Sequence, residues 1–468
     1  MESLPKTRRA LVPGAYEVAV VAIAGALAIA LVTLHYPGQM SLDSVVALYE
    51  ASLGKAVGWG PPFFASVLAW LGGGETGAGR FVAINTFATY GVFAILFLCA
   101  TRAPGIGGLW RTAAAAFLAL NPLFMAYAGI VWKDVMLATT AAVATVMMLV
   151  AGRFSRPLAT AAFVLAVACI SVQPLLRQQG ILLAVPLSLA CAWAAGKYWG
   201  KGRLHRRAAL AVLAAVMALG TAFSWAAGRT VAKLPASPVS VGLLTIAAYD
   251  IIGTVAYARP DDPSEWARAP GDVIDRMRRD YSPERIDSSW ASDEVKGYIS
   301  RLSADDLKEI WLEGIRHDPH AYLTHRWAAY RALLGMESMD GCVPAYWGVA
   351  GIPEHLDVLG IPEAMDEKDR FLGRKILALK DGFFFRHWWY AGILALATLV
   401  ALRPSKAPEI WVVRGALAAA WIYLVSFIPT SIACDFRYLY PMTTLATVIA
   451  IYLVTEAPRL RAHRQEEA

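Results

Sequence analysis

Four short strings in the chain bring charged side chains to the ends of apolar stretches. The first reads His35-Tyr-Pro-Gly-Gln-Met-Ser-Leu-Asp43-Ser44, with Glu50 seven residues beyond Asp43. The second is Trp132-Lys133-Asp134 and the third is Gln173-Pro-Leu-Leu-Arg177-Gln178-Gln179-Gly180. The fourth is Cys434-Asp435-Phe436-Arg437-Tyr438-Leu-Tyr-Pro441. A carboxylate beside a hydroxyl can take its proton as the hydroxyl reacts. Two or three cations can hold a phosphate and stabilise it as it leaves. An acid facing several cations therefore suits group transfer from a lipid phosphate to a hydroxyl. Other chemistries lack their parts. No Ser-His-Asp order, HExxH string or Cys-His pair stands out, and Cys99, Cys169, Cys191, Cys342 and Cys434 form no CxxC pair.

The elements that hold these strings are set by composition. Of 468 residues, 57% are hydrophobic and 17% charged, and the mean hydropathy is +0.47. Soluble domains are about a quarter charged, and disordered chains are poor in apolar residues, so both classes are excluded. Stretches near the roughly 20 residues needed to cross a bilayer lie at 15–34, 80–100, 113–130, 135–151, 157–173, 180–196, 208–227, 387–402, 411–429 and 439–456. Asn121-Pro122 predicts a break in the third, because proline removes a helix hydrogen bond. The run Pro61–Leu71 is too short to span and reads as interfacial or re-entrant. The first span has no small-residue cleavage site after it and reads as an anchor.

Lys and Arg in short loops set orientation. Lys6, Arg8 and Arg9 precede the first span, Arg102 and Arg111 follow the second, and Arg153 and Arg156 the fourth. Lys197, Lys201, Arg203, Arg206 and Arg207 follow the sixth, Arg403 and Lys406 the eighth, and Arg459, Arg461 and Arg464 the tenth. With ten spans all these clusters share one side, which places both termini in the cytoplasm. The four charged strings then share the opposite, periplasmic face. Residues 1–227 form an N-terminal membrane region of about seven helices with an acidic first loop at 35–79. Residues 228–386 form a mainly helical periplasmic domain, and 387–468 a C-terminal membrane region of about three helices and a tail. The middle segment carries 20 Lys and Arg against 25 Asp and Glu, so the overall charge of +7 belongs to the membrane part. It is topogenic and implies a lipid bilayer rather than nucleic acid. The fold class is an all-α polytopic membrane protein, and the run Val241–Tyr257 is expected to lie along the interface.

In these residues the chain resembles the GT-C superfamily of integral-membrane glycosyltransferases, which take a sugar from a polyprenyl-phosphate donor. The likeness rests on the first loop YPGQMSLDS with an amphipathic stretch, Leu42–Leu53, behind it. It rests also on WKD, RQQG and DFRYLYP at outer helix ends. It covers the membrane half well and 228–386 hardly at all. The resemblance implies that Asp43 is the base or a metal-facing carboxylate, and that Lys133, Arg177 and Arg437 face the donor phosphate. Asp134 and Asp435 would position those cations or the acceptor, with Gln178 and Tyr438 as further substrate contacts and Glu50 and Asp250 as reserve candidates. The partners implied are a polyprenyl-phosphate sugar donor and a glycan, lipid or protein acceptor. Family members often carry two close acids in the first loop. Here Asp43 stands alone with Glu50 two turns on, which argues against a divalent metal.

Each residue also has a plainer reading. The string Ser41-Leu-Asp43-Ser44 suits a helix N-cap at Ser41 or Asp43, and Glu50 would be a solvated face residue. Lys133-Asp134 would form a local pair of little energetic weight. Arg177 and Arg437 would be snorkelling anchors, although anchors favour the cytoplasmic side. Asp250 would be a cap, His35 an interfacial residue, and Tyr438 and Tyr440 belt aromatics. Cys342 and Cys434 share the oxidising face, where a disulfide is compatible. The rival class is a transporter or lipid flippase. Such proteins carry midplane charges and paired repeats, and the nearest cases here, Glu17 and Arg414, sit near the cytoplasmic ends.

Overall fold

The computed structural model describes residues 14–57, 60–100, 106–199, 206–233, 241–259, 263–404, 407 and 409–465. Lys6, Arg8, Arg9, Arg102, Lys201, Arg203 and Lys406 of the basic clusters lie outside the described residues. The first half of the chain runs α1 Ala15–His35, α2 Leu42–Leu53, α3 Phe63–Trp70, α4 Gly74–Leu98, α5 Ile106–Ala119, α6 Pro122–Tyr127, α7 Lys133–Val150, α8 Arg156–Leu176, α9 Gly180–Trp199 and α10 Arg206–Thr230. A middle segment follows with α11 Val241–Tyr257, α12 Pro263–Trp266, α13 Gly271–Asp280, α14 Asp287–Trp290, α15 Asp293–Arg301, α16 Ala304–His317, α17 Pro319–Leu333, α18 Pro353–Leu359 and α19 Glu367–Leu379. The chain closes with α20 His387–Ala401, α21 Ile410–Ser426 and α22 Tyr440–Gln465. Extended pairing among the described residues is confined to isolated bridges.

Eight of the described helices are long and apolar enough to cross a bilayer, counting α5 and α6 together. The ten expected stretches are all helical: eight are these, and the remaining two, 387–402 and 411–429, are the shorter apolar helices α20 and α21. α20 has 15 residues and α21 has 17. His387 at the start of α20 is buried, with its ring nitrogens 2.6 Å and 3.0 Å from the carbonyl oxygens of Leu333 and Phe436, so that turn belongs to the protein interior. α21 buries Val413, Leu417, Ala420 and Tyr423 inside the bundle. The break at Asn121-Pro122 is present. Asn121 caps α6 by accepting from Leu123 N at 2.9 Å and donates to the Tyr390 hydroxyl at 2.6 Å.

The interfacial run becomes α3, and the stretch behind the first loop becomes α2 with the expected bounds. Backbone pairing fixes both to one end of the bundle. Gln39 N donates to Gly129 O at 2.8 Å and Val131 N to Gln39 O at 3.0 Å. Met40 N donates to Gly348 O at 2.9 Å and Ala350 N to Met40 O at 3.0 Å. The first loop, the start of α7 and the middle segment therefore meet on the same face. At the opposite end Arg153 pairs with Glu456 at 2.5 Å.

α11 packs one face into the middle segment. Ala247, Ala248, Ile251, Ile252 and Val255 form a core of the middle segment with Trp266, Val273, Ile274, Met277, Val295 and Ile310. Gly253 is required there, because a Cβ would stand 2.0 Å from the His325 ring. The Cys342–Cys434 disulfide then ties the middle segment to the loop before α22 across 92 residues of sequence. Closing so long a loop contributes about 2–4 kcal/mol. Cys342→Ser with Cys434→Ser should lower the thermal midpoint of the detergent-solubilised protein clearly. An unchanged midpoint would mean that the bridge contributes nothing.

Candidate active site

The capping of α2 decides what Asp43 is free to do. Ser41, not Asp43, is the N-cap, and its backbone N–H donates to Ser44 Oγ at 3.2 Å. Trp132 Nε1 donates to Ser41 Oγ at 2.7 Å and fixes this turn against the start of α7. Asp43 is the second residue of the helix, within its first turn, and has no capping duty. Its carboxylate pairs with Arg437, 394 residues away in sequence. Burial alone would push the Asp43 carboxyl up. The Arg437 guanidinium, followed by Lys133 and Arg177, outweighs burial and holds it below its ordinary value.

Arg437 is held from three sides. Its guanidinium carbon stands 5.0 Å from the Trp132 ring centroid and 5.3 Å from that of Tyr438, and its Nε is 3.5 Å from Asp435 Oδ2. Lys133 differs from it, since its side chain makes no ion pair or hydrogen bond among the described residues. Asp43, Glu50, Gly60, Trp132, Lys133, Asp134 and Arg437 are among the residues lining one narrow cleft of about 50 Å³ between α2, α3 and the start of α7. Arg177 is not on this cleft. It pairs with the buried Asp134, donates through Nε to Gln179 Oε1 at 2.6 Å, and lies 4.9 Å from the Tyr438 ring centroid. Tyr438 is thus in contact with both guanidinium groups, as a packing residue of the cation cluster.

Other expected residues are placed differently. Glu50 is buried, not solvated, and accepts from Val57 N at 2.8 Å at the cleft wall. Gln178 is exposed, and its neighbour Gln179 is the one that turns inward, bridging Arg177 to Thr430. Asp250 neither caps a helix nor reaches the cleft. It is buried in the middle segment, paired with Arg326, 3.1 Å from His325 Nε2 and accepting from Trp311 Nε1 at 2.8 Å. His35 is buried too, donating through Nε2 to Met125 O at 2.9 Å. Sequence reasoning missed Arg285, which pairs with Asp435. Burial raises the Asp435 carboxyl, against the pull of Arg437 and Arg285.

No family model and no curated protein matches the chain. Among solved structures it is similar to ArnT from Cupriavidus metallidurans bound to undecaprenyl phosphate, with 16% identity, a TM-score of 0.32 and coverage of 96% of this chain and 78% of that one. The apo state of the same protein gives 17% identity, a TM-score of 0.32 and coverage of 94% and 76%. Backbones that overlap this loosely leave the site to stand on this chain's own side chains.

Those side chains do not fit a divalent metal. Among the described residues no three His, Cys, Asp or Glu side chains converge as ligands, and Asp43 already engages a guanidinium. They do fit an anion. Lys133 projects one uncommitted ammonium at the cleft, and Arg437 offers the donors that Asp43 and Asp435 leave over. A phosphate between them would gain charge-assisted hydrogen bonds, with a carboxylate standing beside it.

Proposed function

We propose that the protein is a membrane glycosyltransferase that moves a sugar from a polyprenyl-phosphate donor to a hydroxyl of a glycan, lipid or protein acceptor. One observation carries the reading: Asp43 of the first loop and Arg437 of the last pair at a cleft whose wall holds the unpaired Lys133. The residues that pair here are those on which the sequence resembles GT-C enzymes.

In this reading the donor phosphate sits against Lys133 and Arg437. The acceptor oxygen attacks the anomeric carbon, the bond from that carbon to the phosphate oxygen breaks, and its electron pair stays on the leaving phosphate. Lys133 and Arg437 stabilise that charge. Asp43 takes the acceptor proton. Paired with Arg437, Asp43 is a weak base, because a stabilised carboxylate holds protons poorly. A bound phosphate competes for the same guanidinium, which loosens the pair and raises the basicity of Asp43 when donor is present. The site belongs on the periplasmic face in this account. Disulfides persist in oxidising compartments, and Cys434 precedes Asp435 directly.

The experiment is a transfer assay on purified protein with a panel of polyprenyl-phosphate sugars and a membrane acceptor extract. The reading expects one donor to be consumed with release of polyprenyl phosphate. Consumption of none across a panel of hexose and pentose donors would count against it.

A further inference from the structure

Arg285 belongs to none of the four charged strings, yet it is built into their centre. The backbone puts it there. Ile286 N donates to Ile432 O at 3.0 Å and Cys434 N to Glu284 O at 2.7 Å, so residues 284–286 run antiparallel to 432–434. The Cys342–Cys434 disulfide and the Tyr249 hydroxyl, which donates to Ser282 O at 2.7 Å, anchor the two ends of this junction. Arg285 is thereby set against Asp435. The result is a row of alternating charge: Arg285, Asp435, Arg437, Asp43. A second row has the same form. Arg177 pairs with Asp134, the residue next to Lys133. In each row a rear arginine engages the aspartate that stands beside a cleft cation.

We propose that Arg285 is a positioning residue, which neutralises Asp435 so that Arg437 stays available to Asp43 and to the donor phosphate. This rests on the phosphate reading above. Asp435 is largely buried, and Arg437 Nε is already 3.5 Å away. Without Arg285, that guanidinium would be the nearest cation left to Asp435. Arg437 would then be shared between two acids, and an incoming phosphate would compete with both. The middle segment thus contributes a side chain to this row of charges, although nothing in its own sequence pattern signals a role in chemistry.

The test measures binding of polyprenyl monophosphate to the full-length protein in nanodiscs, together with transfer kinetics. Arg285→Gln keeps a hydrogen bond to Asp435 and removes the charge, and Arg285→Ala removes both. Each is expected to weaken binding about tenfold, with Arg285→Lys recovering most of the loss. The decisive variant is Arg285→Gln with Asp435→Asn. Once Asp435 has no charge to neutralise, binding should return to within about threefold of wild type. A purely structural role predicts Arg285→Gln near wild type, or a double variant at least as weak as the single one. Either result overturns the proposal. Wild-type protein that binds no polyprenyl monophosphate would instead overturn the phosphate reading, and this role with it.

Discussion

Asp43→Asn is expected to leave the protein folded and to lower the transfer rate by roughly 10²–10⁴-fold, the range for removal of a general base. Asn preserves shape, and Ser41 rather than Asp43 caps α2, so the helix keeps its start. The thermal midpoint should move little, since the Asp43 side chain is 31% exposed and its ion pair is partly screened. The pH dependence has a fixed sign. The Asp43 carboxyl is held below its ordinary value in the folded protein. Its pairing with Arg437 is therefore complete at neutral pH and is lost only as the pH falls through that lowered value. The acid limb of the donor-free enzyme, read from kcat/KM, should lie below the usual carboxylate range. A rate for Asp43→Asn equal to wild type would remove the base from this position.

Arg437→Ala should be at least as severe in activity and, unlike Asp43→Asn, should also cost stability. It leaves Asp43 and Asp435 facing each other across the space the guanidinium filled, and it strips the cation from the Trp132 and Tyr438 rings. Removing one donor to a developing anion costs roughly 10²–10³-fold. Arg437→Lys should recover the fold but little of the rate, because an ammonium cannot serve Asp43, Asp435 and a phosphate in one plane. Lys133→Ala offers the contrast. Lys133 makes no ion pair among the described residues, so the variant should keep its thermal midpoint while losing on the order of a hundredfold in transfer. A matched loss of stability in Lys133→Ala, measured by thermal unfolding in the same detergent, would show that the lysine holds structure and not substrate.

Much of this arrangement is legible in the sequence where local chemistry decides it. The bounds of α2, the break at Asn121-Pro122 and the shared face of the four charged strings follow from capping residues, proline and hydropathy. What escapes reading depends on contacts between distant segments. Nothing in the string around residue 285 shows that it will pair with 433, so Arg285 is invisible until the chain folds. Asp250 looks like a spare acid in an apolar run, because the spacing to His325 and Arg326 carries no signal. Gln178 and Gln179 are indistinguishable by type. The choice between them is made by the extended backbone of Arg177, at φ −152° and ψ 142°, which turns Gln179 toward the guanidinium.

Whether the cleft between Asp43, Lys133 and Arg437 transfers a sugar from a lipid phosphate is decided by one comparison. Purified wild-type and Asp43→Asn proteins, matched in thermal midpoint, are given a labelled polyprenyl-phosphate sugar and a membrane acceptor extract, and released polyprenyl phosphate is measured over time. The account predicts steady release by the wild type and release slowed by about 10²-fold or more in the variant. Equal release by the two proteins would contradict it.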